Sequence, residues 1–141
     1  MIRVSWDTDD LDRAKVCGWL LESYWAKGRC QSTFDKSFDN SICFSAFREG
    51  EQVGFARVVT DRATFGWLCD VIVAEECRGQ GVGHALMEAV ISHPDLREIK
   101  RLFLATKDAE WLYKQFEFVE LPNATNWMVR LVDIGEVECI Q

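Results

Sequence analysis

The chain holds only two histidines, and its six cysteines (Cys17, Cys30, Cys43, Cys69, Cys77 and Cys139) include no Cys-x-x-Cys pair. That scarcity removes the usual zinc spacings, so no metal is expected. The cysteines are expected to be reduced, mostly buried small hydrophobes. Cys139 stands third from the end, which breaks the prenylation pattern. No apolar run is long enough to span a bilayer, and no apolar signal segment is expected before the first polar helix. Positive charge is also short: 16 Lys and Arg against 23 Asp and Glu leave a formal net charge of −7. Such a balance disfavours broad binding to nucleic acid or an anionic membrane and suits a cationic partner such as an amine. Repeats, linkers and low-complexity stretches are missing as well. With 48% hydrophobic residues, the 141-residue chain is expected to form a single cytoplasmic domain over residues 1–141.

What is present reads as mixed α/β. Residues 2–6 alternate as a strand, and Asp9 or Asp10 is the expected cap of a helix reaching about Tyr24, with Leu11, Ala14, Cys17 or Gly18, Leu21 and Trp25 at helical spacing. Residues 26–40, with Gly28, serines and charges, read as a loop or short irregular helix. Two apolar-rich strands, 41–48 and 52–60, flank Glu49-Gly50-Glu51 as a hairpin, and 65–74 forms the next strand. A helix over 81–92, with Val82, Leu86, Ala89 and Val90 inward, is stopped by Pro94. A strand at 100–106, a helix at 108–116 capped by Asp108, and strands at 118–121 and 127–132 complete the expected order.

The most informative segment joins the 65–74 strand to the following helix. It runs Arg78-Gly79-Gln80-Gly81-Val82-Gly83-His84, with three alternating glycines. Bare backbone lets N–H groups approach a ligand, and the helix aims its unpaired N–H groups and positive dipole end at the same point. That combination seats a pyrophosphate, with Arg78 as a charged neighbour. Other phosphate loops fail on spacing. A P-loop needs Gly-Lys-Ser/Thr where this chain has Gly83-His84-Ala85. The dinucleotide fingerprint Gly-x-Gly-x-x-Gly would need a sixth-position glycine where His84 or Leu86 stands.

The segment resembles the acetyl-CoA-binding motif of the GNAT superfamily of N-acetyltransferases, (Gln/Arg)-x-x-Gly-x-(Gly/Ala), filled here by Arg78, Gly81 and Gly83. The resemblance covers nearly the whole chain. It is closest to small single-domain members carrying a hairpin like residues 53–61, then Asp70-Val71-Ile72-Val73, then the run from Thr106 to Tyr113. One departure stands out: the family's usual Gly-Phe after the last helix is Glu117-Phe118.

The resemblance implies a mostly antiparallel sheet flanked by helices, with one splayed parallel strand pair in which pantetheine bonds free backbone. Acetyl-CoA would be the acetyl donor, held by the backbone of Ile72 and Val73 and by Arg78, Gly79, Gln80, Gly81, Val82, Gly83 and His84. It also implies direct transfer to a primary amine of a small molecule or peptide. The alternative is a non-catalytic, acyl-CoA-binding regulatory module. Tyr113 is the candidate general acid, or a core tyrosine. Asp70 is a candidate base, or an orienting partner for an arginine such as Arg57. Tyr24, Trp25, Arg29 and Phe34 form an aromatic and polar cluster that would bind the acceptor, or cap the core. A monomer or homodimer is expected.

Overall fold

The computed structural model describes residues 1–133, so Cys139 lies outside the described residues. Nine elements carry the architecture: β1 (Arg3–Ser5), α1 (Arg13–Leu21), α2 (Gln31–Asp39), β2 (Ile42–Arg48), β3 (Glu51–Thr60), β4 (Gly66–Val73), α3 (Val82–Ser92), β5 (Leu102–Phe103) and α4 (Glu110–Lys114). The sheet order is β1-β2-β3-β4-β5. Neighbours are antiparallel except the parallel β4–β5 pair, which meets at only two positions, Gly66 with Leu102 and Trp67 with Phe103. Among the described residues, no helix is long and apolar enough to cross a membrane.

Alternation along the strands feeds a core on each face. Phe44, Ala56, Val58 and Leu68 pack with Leu86, Met87, Val90 and Leu112 from α3 and α4. Cys43, Phe55 and Ile72 pack with Val16, Leu20, Phe34 and Phe38 from α1 and α2. Leu68 and Ile72 are four residues apart in one strand, yet they lie in opposite cores. The cause is a bulge. Phe55 pairs with Ile72 and Arg57 with Cys69, so Asp70 and Val71 together face Ala56. Asp70 takes up the extra residue with φ +53.

Several boundaries differ from the sequence reading. The first caps are Asp7, accepting from the Asp9 N–H at 2.9 Å, and Asp12, accepting from the Lys15 N–H at 3.1 Å. Residues 31–39 are a full helix because Phe34 and Phe38, one turn apart, bury completely while serines and charges face outward. The expected strands at 118–121 and 127–132 do not form. Residues 124–126 make a 3-10 turn, and Met128, Val129 and Leu131 are exposed. Strand propensity is realised only where a neighbour accepts the ladder, and β5 is two residues long rather than seven.

Cys17, Cys43 and Cys77 are buried free thiols and Cys69 is half-buried and free, whereas Cys30 departs from the expectation and is disulfide-bonded. Among the described residues, no three His, Cys, Asp or Glu side chains group to hold a metal.

Candidate active site

The glycine segment takes the shape its sequence suggests. Gly79 and Gly81 sit at φ +77 and +85, in the left-handed region, with nothing within 4 Å of where a Cβ would stand. Gly81 is the N-cap of α3, and the first helical bond runs from the Ala85 N–H to the Gly81 carbonyl at 3.0 Å. The six N–H groups from Gly79 to His84 therefore have no partner among the described residues. They form a concave row of donors at the positive end of an 11-residue helix.

Gly83 has a different reason to be glycine. A Cβ there would stand 3.3 Å from Leu112 Cδ2, so it lets α4 pack against α3. The seat is pressed onto the sheet from below as well: a Cβ on Gly54 would stand 2.6 Å from Val82 Cγ1. Arg78 is exposed, and its Nε donates to the Val73 carbonyl at 3.2 Å. Arg48 donates to Gln80 Oε1 and lies 3.3 Å from Cys77 Sγ, placing a second cation at the loop. His84 is exposed at the surface, 3.3 Å from Glu88.

The crevice opens where β4 and β5 part. The Ala74 N–H bonds the Val53 carbonyl at 2.8 Å, and Ile72 pairs with Phe55 two residues earlier. By alternation, the Ile72 backbone turns toward β3, while the Val71 and Val73 backbone turns to the open side. Of the two expected backbone positions, Val73 therefore faces the crevice and Ile72 does not. A cavity of about 190 Å³ lies here, lined by β4 from Trp67 to Val71, by residues 104–106, by Asp108, Ala109 and Tyr113, and by Tyr24 and Trp25 beyond α1.

Tyr113 is only 8% exposed, and its hydroxyl has no hydrogen-bond partner among the described residues. Burial, reinforced by Asp108 and Tyr24, pushes its phenol up to about 12. Cys69 also borders the cavity, and burial pushes its thiol up to about 11.

Asp70 is the centre of a closed network. One oxygen accepts from Trp25 Nε1 at 3.0 Å; the other accepts from Arg29 Nη1 and Arg57 Nε, both at 2.9 Å. Its side chain is 1% exposed. Burial alone would raise the carboxyl, but hydrogen bonds and charge from Arg29 and Arg57 outweigh it and hold Asp70 below the usual carboxylate range.

The structure thus brings Tyr24, Trp25, Asp70 and Tyr113 to one cavity and leaves two expected acceptor residues elsewhere. Phe34 is 1% exposed in the α1–α2 core, stacked with Phe38 and covered by the Arg29 guanidinium at 5.3 Å. Arg29 is spent on Asp70. Closeness in sequence suggests a shared pocket, but α2 packs as a helix and turns Phe34 into the core. Trp67 and Arg48 were missed because only strand register brings them to the crevice and the loop. Asp108 was read as a helix cap. Instead the N-cap is Ala109, whose N–H bonds Thr106 Oγ1 at 3.0 Å, and Asp108 is exposed at the border of the cavity.

Comparison with known proteins agrees with this geometry. The model of the acetyltransferase (GNAT) family matches residues 8–118. A crystal structure from Xanthomonas campestris pv. campestris, of a protein placed in the GNAT family, shares 41% identity, covers 94% of each chain and superposes with a TM-score of 0.90. A Gibberella zeae protein named as an acetyltransferase is 31% identical; the match spans 64% of this chain and 62% of that protein's length. A Clostridium acetobutylicum acetyltransferase structure, solved with acetyl-CoA, shares the fold at 12% identity and a TM-score of 0.66 over 95% of this chain and 96% of its own.

Proposed function

Because the chain belongs to the acetyltransferase (GNAT) family, we propose that it transfers the acetyl group of acetyl-CoA directly to a primary amine, with both substrates bound together. One observation carries this reading. A row of six unpartnered N–H groups leads along the open β4 edge to a cavity that ends at a protonated tyrosine. The open space at Gly79 and Gly81 fits a pyrophosphate, and Arg78 and Arg48 add positive charge beside it. When bound, acetyl-CoA supplies an activated acetyl thioester.

The chain's own groups do the rest. The outward backbone of Val71 and Val73 offers strand-like bonds to the pantetheine arm, and the Val73 N–H polarises the thioester carbonyl. Tyr113 keeps its proton at any neutral pH. Its phenol, near 12, is a weaker acid than an ordinary thiol, which titrates near about 8.5. It therefore steadies the departing sulfur by donating a hydrogen bond, rather than by losing its proton outright. Cys69, raised to about 11, carries too little thiolate to accept the acetyl group first, which supports transfer in one step.

Asp70 is a positioning residue in this reading. With both oxygens occupied and its proton affinity lowered, it fixes the Trp25 ring and leaves deprotonation of the amine to water at the mouth. The test is release of free thiol from acetyl-CoA across a panel of primary amines, with the N-acetyl product identified by mass. Binding of CoA with no product from any amine would replace the transferase with a non-catalytic acyl-CoA-binding module.

A further inference from the structure

Among the described residues, the cavity lining contains no lysine, arginine or histidine, and its only charged members are Asp70 and Asp108. These two carboxylates differ completely. Asp70 is compensated by two arginines, and so offers nothing to a ligand. Asp108 is exposed, makes no hydrogen bond or ion pair among the described residues, and does not cap α4. Lys107 does not line the cavity; its Nζ sits 5.2 Å from the centre of the Tyr24 ring, the kind of aromatic face that attracts an ammonium group. The remaining walls are aromatic or apolar: Tyr24, Trp25, Trp67 and Leu104. Trp25 is held in place by its bond to Asp70. In volume, about 190 Å³ exceeds the roughly 150 Å³ of an apolar cavity that holds one benzene ring.

We infer that the acceptor is a compact primary amine carrying no anionic group, its ammonium held by the Asp108 carboxylate and its body by the wall of Tyr24, Trp25 and Trp67. An acceptor bearing a carboxylate or phosphate would meet one uncompensated negative charge and no free positive one inside the cavity. This inference rests on the transferase reading for the identity of the site, but it makes a claim about binding alone.

The experiment is calorimetric titration of the CoA-loaded full chain with two matched pairs, 2-phenylethylamine against phenylalanine and butylamine against 5-aminopentanoate. Within each pair the molecules differ by one carboxylate. The amine without it should bind at least about 10-fold more tightly in both pairs. Asp108→Asn, which keeps size and shape, should weaken both amines by about 10-fold and narrow the discrimination while CoA affinity holds. Equal or tighter binding of the carboxylated partners would overturn the inference, even if they were acetylated and so upheld the transferase. Absence of binding by every amine, or discrimination unchanged in Asp108→Asn, would overturn it too. Discrimination lost in Asp108→Asn without any acetylated product would support the inference and sink the transferase instead.

Discussion

The two ends of the crevice are built on opposite plans. At the loop end the donors are backbone N–H groups from Gly79 to His84, aimed at space and committed to nothing. At the acceptor end the polar groups are side chains, and most are already committed to one another: Asp70 to Arg29, Arg57 and Trp25. The first arrangement loses no internal bond when an anion arrives. The second spends its charges on shape. Cofactor affinity should therefore depend on what enters the loop, whereas acceptor specificity should depend on the few groups left uncommitted.

The sharpest way to break this contrast is Gly81→Asp. At φ +85 the surroundings are open but any side chain strains the backbone, by about 1 kcal/mol for aspartate, and the substitution sets a negative charge beside the pyrophosphate. Affinity for CoA should fall by about 100-fold or more in protein that still unfolds cooperatively. Unchanged affinity would end the assignment of the loop. Tyr113→Phe comes next: at saturating substrates the maximal rate should drop by roughly 10²-fold while CoA affinity stays similar. Because the phenol sits near 12, any basic limb of the rate profile below about pH 10 must survive in this variant.

Asp70→Asn tests the committed end. It leaves two half-buried guanidinium groups short of charge and should cost about 3 kcal/mol in urea unfolding at pH 7, with CoA affinity kept. The sign with pH follows from a carboxyl held low in the folded state. Its stabilisation is present above the unfolded value near about 3.9 and is lost as pH falls through the lower folded value, so wild type and variant should converge in acid. A gap that stays constant down to pH 2 would mean the network is worth nothing electrostatically. Glu117→Gly is the smallest effect. Glu117 holds φ +69 after α4, so the family's glycine geometry persists without the glycine, and restoring it should gain about 0.5 kcal/mol by thermal unfolding.

The loop end was legible in the sequence because its function lies in local backbone: a strand, alternating glycines and a helix are all written in the one continuous run 66–92. The hairpin and α3 were legible for the same reason. The acceptor end was not. Asp70, Arg57, Arg29 and Trp25 come from three segments, and their meeting depends on a bulge and on strand register that no short window encodes. Phe34 illustrates the cost. Its aromatic ring near Arg29 was consistent with a binding wall until α2 turned it into the core. The C-terminal strands failed differently: 127–132 has the composition of a strand, but β5 offers it no ladder.

The extra residue at Asp70 also divides β4 into two halves that answer to different surroundings. Leu68 is constrained by α3 and α4, and Ile72 by α1 and α2, although a regular strand would put both under the same constraint. Changes at these two positions should therefore combine nearly additively, because the two side chains lie in different cores. That independence gives the molecule a simple evolvability. Tyr24 and Trp25, which follow α1, can change the wall that meets the acceptor while α3 and the loop at its start, packed on the opposite face of the sheet, stay as they are, so new acceptors become reachable without re-inventing the donor site.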